Sequence, residues 1–254
     1  MKELQSLEKS FESLYHQFMQ VMNIDEKTGV VRQEGSPQGE QELRFGGYPY
    51  IGSYYPQAKK KILFVGLDLG YDENMNDNSY HTLSSRRECI SFTACGFSQL
   101  SANPFNAHMS GTYAFSLAAL KDECGWQEAW KLLSADSQRL TKTIINENYN
   151  KLPVDVLDYV ALTNLFKFVT VNRKNRTGDS NRKWEKKDVE MDLLSQEIEI
   201  LNPDVIILQG SGKYLPSSIL NDLKSKHILI DAHHPSAWRN GENKIGYVKQ
   251  ILNV

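Results

Sequence analysis

Cysteine is scarce. Cys89, Cys95 and Cys124 are the only thiols in 254 residues. An odd, small number cannot make a paired disulfide framework, and none stands in the C-x-x-C spacing of a zinc or iron–sulfur site. A reducing, cytoplasmic setting with no resident metal or cofactor is the expectation. Charge of one sign is also lacking. The formal net charge is -2, so a surface for a polyanion has to be local. No apolar run is long enough to span a membrane, and Met1-Lys2-Glu3-Leu4 lacks the apolar core of a signal peptide. The dinucleotide fingerprint G-x-G-x-x-G and the Lys-Ser/Thr of a phosphate-binding loop are missing, as are internal repeats. With 40% apolar and 24% charged residues, the composition is that of a soluble globular protein.

What is present is an alternation of helix and strand signals. Leu4, Leu7, Phe11, Leu14, Phe18 and Val21 recur at three- and four-residue intervals and predict an amphipathic helix. Residues 24–57, rich in Gly, Pro and Tyr, read as loop, so residues 1–57 form a helical extension to a single domain spanning 1–254. Lys61 to Gly66 is the first clear strand, and its continuous apolar run predicts burial on both faces. Residues 74–112 read as a long polar loop containing Phe92, Phe97 and Phe105. Any of the three could stack on a base, although such rings are also ordinary core contacts. The stretch from Thr112 to Asn148 reads mainly helical. Further strands are predicted at Tyr159–Phe166, Asp204–Gly210 and His227–Ile230, and further helices at Asp188–Leu201, stopped by Asn202-Pro203, and at Asn243–Leu252. This alternation predicts an α/β fold around a short, mainly parallel four-stranded sheet covered on both faces.

Three of those strands end in polar residues. Asp68 follows the first in Gly66-Leu67-Asp68-Leu69-Gly70-Tyr71, Asn164 sits near the carboxyl end of the second, and His234 follows the fourth in His233-His234-Pro235-Ser236. In an open parallel sheet the carboxyl ends share one edge, where ligands bind. A flat amide can read a base edge by donating to one atom and accepting from the next. An imidazole can stabilise negative charge on a departing base, and a carboxylate can orient water and steady an oxocarbenium-like sugar. The chain's only concentrated basic stretch, Lys167, Arg173, Lys174, Arg176, Arg182, Lys183, Lys186 and Lys187, follows Asn164. It is either a solvated face or a set of phosphate contacts.

In four segments the chain resembles the uracil-DNA glycosylase superfamily: Ile62 to Gly70, Thr163-Asn164-Leu165-Phe166-Lys167, Asn202 to Gly210, and His234-Pro235-Ser236. Each is short, and together they span most of the chain from Lys61 to about Asn240. The resemblance implies a three-layer α/β/α sandwich and a monomeric, metal-independent enzyme that hydrolyses an N-glycosidic bond in DNA carrying uracil or another deaminated base. It implies catalytic roles for Asp68 and His234 and base reading by Asn164. Gly66, Leu67, Leu69, Gly70, Tyr71, Phe97 and Phe105 would surround the base. Ser236, Trp238 and Arg239 would engage the DNA, Trp238 as a wedge in a base stack, with Lys167, Arg173, Lys174 and Arg176 on phosphates. Leu69 replaces a proline common in the family's glycine motif, and the cysteines of the iron–sulfur branch are missing. The alternatives are a superfamily member that binds nucleic acid or modified bases without cutting, and an unrelated nucleotide-binding α/β protein.

Overall fold

A computed structural model describes residues 2–31, 41–67, 80–91, 107–135, 156–172, 177–178, 187–234 and 244–253. The chain divides into two compact units. One comprises Met1–Pro49, Gly66–Arg86 and Thr163–Asn202; the other comprises Tyr50–Val65, Arg87–Leu162 and Pro203–Val254. Each is described by itself.

The second unit is built on an open α/β sheet. Its strands are β2 (Tyr50–Ile51), β3 (Ile62–Gly66), β4 (Val160–Asn164), β7 (Val205–Gln209) and β8 (Ile228–Ala232), in the order β2-β4-β3-β7-β8. Three other strands, described below, make up the rest of the series. β3 pairs parallel with β7 and β7 parallel with β8, while β2 lies antiparallel to β4. Among the described residues this sheet has five strands where four were expected. The extra one, β2, is only two residues long, too short for an alternation pattern, and lies in the stretch expected to be loop.

Burial follows strand order. Every residue of β3 and β7 is buried, as continuous apolar runs in the middle of a sheet should be. β8 is the edge strand, and Ile228 there is 62% exposed. The same apolar pattern thus has two outcomes, set by position in the sheet. Helices Ala107–Leu120 and Gln127–Ala135 supply Phe115, Leu117, Leu120, Trp130 and Leu133 to the core, and the C-terminal helix Lys244–Leu252 adds Ile245 and Val248. Of the stretch 112–148 expected to be helical, the described part, 112–135, holds two helices separated by a turn in which Gly125 takes φ +75°; residues 136–148 lie outside the described residues.

The first unit has its own aromatic core. The N-terminal helix Lys2–Val21 buries Phe11, Leu14, Tyr15, Phe18 and Met19 and lies against the helix Lys187–Leu201. Its buried stripe is rotated from the expected one: Tyr15 and Met19 are inside, whereas Val21 is 65% exposed. A small antiparallel sheet, ordered β1-β5-β6, consists of β1 (Gln41–Phe45), β5 (Phe168–Asn172) and β6 (Thr177–Gly178). Phe45 and Phe168, opposite each other in this sheet, pack with Phe18 and Tyr15. Asn202, at φ +43°, ends Lys187–Leu201 as the Asn-Pro pair predicts.

A helix, Leu83–Ser91, stands inside the stretch expected to be loop. Its start has a local cause. The Ser85 backbone N–H donates to Thr82 Oγ1 at 3.2 Å, and the Thr82 N–H donates to Ser85 Oγ at 2.8 Å, a reciprocal cap. Among the described residues, no helix is long and apolar enough to cross a membrane.

Candidate functional site

Of the candidate residues, Gly66, Leu67, Asn164, Lys167 and His234 are described. Asp68, Leu69, Gly70, Tyr71, Phe97, Phe105, Arg173, Lys174, Arg176, Ser236, Trp238 and Arg239 lie outside the described residues.

In the first unit, the start of the glycine motif and the Thr-Asn-Leu-Phe-Lys segment run side by side. The Leu165 N–H donates to the Gly66 carbonyl at 2.9 Å, and the Phe166 N–H donates to the Leu67 carbonyl at 2.8 Å. Among the described residues 160–168, Asn164 alone is not fully buried. Its neighbours on both sides are buried, and Asn164 is partly exposed.

Lys167 differs from its expected role. Its side chain is 2% exposed, and Nζ lies 2.6 Å from Glu197 Oε2, whose own side chain is fully buried. The same ammonium donates to Thr163 Oγ1 at 2.7 Å, and the Thr163 hydroxyl donates to Glu197 Oε2 at 2.8 Å. The Tyr15 hydroxyl donates to the other Glu197 oxygen. The Lys167 backbone is held as well: its N–H donates to Glu190 Oε1 at 2.7 Å, and its carbonyl accepts the Gly46 N–H at 2.8 Å. Lys167 is therefore not a phosphate contact, because a cation enclosed and paired in this way is not offered to a polyanion. Burial lowers its pKa, opposed by Glu197. Burial, reinforced by Glu197, raises that of Tyr15 well above the ordinary tyrosine value.

In the second unit, His234 sits two residues past β8, against the turn that leaves β7. Gly210 takes φ +74°, and a Cβ there would stand 2.8 Å from the His234 Cβ, so only glycine lets the two backbones approach this closely. The Gly210 N–H donates to the Ala232 carbonyl at 2.8 Å. Two residues on, a Cβ at Gly212 would be 2.5 Å from Asp231 Oδ1, a second close approach of the same two chains. The Ser211 hydroxyl, fully buried, donates to the Val65 carbonyl at 2.8 Å and ties the turn to the end of β3. Gln209 Nε2 donates to Thr112 Oγ1 at 2.8 Å. Its Oε1 is buried with no hydrogen-bond partner among the described residues.

The two histidines are distinguishable. The His233 N–H donates to the Tyr247 hydroxyl at 2.8 Å, and its ring stacks on Tyr247 with centroids 5.5 Å apart and planes at 25°. His233 is thus tied to the C-terminal helix. His234 is half-buried, and desolvation lowers its pKa below the ordinary 6.5, which favours the neutral imidazole at neutral pH. A neutral ring carries one N–H to donate and can face a developing anion without surrendering a proton.

Among the described residues, no group of three or more His, Cys, Asp or Glu could hold a metal. The residues that sequence reasoning missed are those beneath Asn164: Tyr15, Glu190 and Glu197. Glu197 carries no local signal, since on an amphipathic helix it reads as solvated. The candidate residues are assembled in two groups, Asn164 with Gly66 and Leu67 in the first unit, and His234 with Gly210 in the second. No protein-family model matches the chain, and no curated protein sequence matches it at a significant level.

Proposed function

We propose that this protein is a DNA base-excision enzyme of the uracil-DNA-glycosylase type, with that superfamily's three-layer α/β/α arrangement. One observation carries the reading: Asn164 is the one partly exposed residue of an otherwise buried strand end, with the glycine-motif backbone hydrogen-bonded alongside. Its amide would pair with the edge of an extruded base. The lowered pKa of His234 supports the second role, donation from a neutral imidazole to the base as its glycosidic bond breaks. Asp68 would orient the water that attacks C1′ and take its proton. The base leaves with the bonding electron pair, and the sugar gains a hydroxyl. The proposal has the protein acting as a monomer on DNA in the cytoplasm without a cofactor.

The test is direct. Purified protein with no added metal is incubated with end-labelled oligonucleotides carrying uracil, hypoxanthine or xanthine, and alkali-labile sites are scored. Strand breaks that appear only after alkali, and only at a modified base, are the expected result. Asp68→Asn should lower turnover by roughly two orders of magnitude while changing affinity far less. Tight binding of the modified strand with no alkali-labile site would replace the enzyme with a non-cutting reader of altered bases. The absence of both cleavage and selective binding would overturn the reading.

A further inference from the structure

The chemically richest cluster among the described residues is one that the proposed reaction does not use. Lys167, Glu197, Thr163 and Tyr15 form a buried polar centre in the first unit, with Glu190 on the adjoining backbone. Three of its contacts close a triangle: Lys167 Nζ to Glu197 Oε2 at 2.6 Å, Lys167 Nζ to Thr163 Oγ1 at 2.7 Å, and Thr163 Oγ1 to Glu197 Oε2 at 2.8 Å. Thr163 and Lys167 are the two residues that flank the Asn164-Leu165-Phe166 turn. The lysine side chain therefore reaches back across that turn and fastens its exit to its entrance. Glu197, on the helix Lys187–Leu201, clamps both from beneath.

Stability alone is a poor explanation for this arrangement. Two charges taken out of water lose hydration that their attraction barely returns, and well-packed apolar residues of the same size usually serve as well or better. In some proteins a buried polar centre serves instead to select one conformation. Here the conformation selected is that of the five residues 163–167, of which Asn164 alone is partly exposed. The N–H groups of Leu165, Phe166 and Lys167 are all donated, to Gly66, Leu67 and Glu190 respectively.

We infer that Lys167, Glu197 and Thr163 are positioning residues for Asn164, a buried clamp that sets the amide at the angle needed to discriminate one base edge from another. The inference rests on the proposed base-reading role of Asn164 and deepens it. Asn164 touches the base; the clamp acts only through Asn164. An amide can tell uracil from cytosine only while its donor and acceptor stay in register with the base, so a loosened clamp costs discrimination before it costs affinity.

An apolar replacement of the whole centre, Tyr15→Phe with Thr163→Val, Lys167→Met and Glu197→Met, separates positioning from stability. The expected result is an unfolding midpoint equal to or above that of the wild type. Alongside it, kcat on the preferred base should fall roughly tenfold to a hundredfold, KM should change little, and the preference for that base over cytosine should narrow. Unchanged kcat and preference in a stably folded variant would overturn the clamp. Should the fourfold variant fail to fold, Thr163→Val alone decides, because it leaves the Lys167–Glu197 pair intact. Hydrogen exchange at the Leu165 and Phe166 amides should then quicken severalfold at an unchanged global unfolding midpoint, and unchanged exchange would overturn the clamp. The exchange measurement needs no activity. A wild type that excises no base overturns the proposed function, while the amides still report whether the clamp holds the Asn164 turn.

Discussion

The contacts described beneath Asn164 and beside His234 differ in kind. Beneath Asn164 lies an enclosed network of a lysine, a glutamate, a threonine and a tyrosine. Beside His234, a glycine at φ +74° lets two strand ends approach until one added carbon would collide, beside β7, whose residues are all buried. The contacts described beneath Asn164 are directional bonds, and the close approach described beside His234 is a matter of shape. Directional bonds in a low-dielectric interior are costly to break singly and cheap to replace together. Shape fails whenever volume is added, whatever its polarity. The two devices should therefore respond differently to substitution.

The largest effect should come from breaking the ion pair on one side. Lys167→Met leaves the fully buried Glu197 carboxylate without its cation and should destabilise the protein by about 3–5 kcal/mol, read by urea unfolding. Adding Glu197→Met should restore most of that loss. If the single and double variants are equally destabilised, the network is not acting as a coupled pair and the contrast between the units weakens. Next comes Gly210→Ala. The new methyl group meets both a positive φ and the His234 Cβ at 2.8 Å, so a loss of roughly 1–3 kcal/mol is expected. No second substitution that leaves the backbone as it is should rescue it.

The environment of His234 supplies a smaller effect with a definite sign. Its folded pKa lies below the ordinary 6.5, so the unfolded chain binds the proton first as pH falls. Its neutral form is fully compatible with folding above about pH 6.5, and stability is lost progressively as pH drops through 6.5 and then through the lower folded value. His234→Gln should remove that part of the acid sensitivity. Unfolding free energies of both proteins at pH 7.5 and pH 5 measure it, and an undiminished loss in the variant would mean that other groups carry it. The smallest effect belongs to His233→Ala, which gives up a ring stack on Tyr247 while keeping the backbone hydrogen bond. It should cost no more than about 1 kcal/mol and leave excision unchanged. A larger effect on excision at His233 than at His234 would mean that the motif has been read one residue out of register.

Local pattern and long-range contact divide these results. Gly66, Asn164 and the turn after β8 could be placed from sequence because strand ends are local events. An apolar run stops, a glycine or proline follows, and the next polar residue is near the edge. The helix Lys187–Leu201 could be bounded by Asn202-Pro203 for the same reason. The cap at Thr82 and Ser85 was equally local and open to reading, yet a polar, irregular neighbourhood concealed it. Lys167 was beyond such reasoning. It stands at the head of a run of cations and looks like one of them, and its partner lies 30 residues further along the chain. Sequence by itself determined much of the alternation of elements and that Asn164 and His234 stand at or just past strand ends, since those depend on neighbours a few positions away. Tertiary structure alone decided that β8 is an edge, that Val21 faces water, and that Lys167 is buried, since each depends on which distant segment arrives beside it and whether it brings a counter-charge.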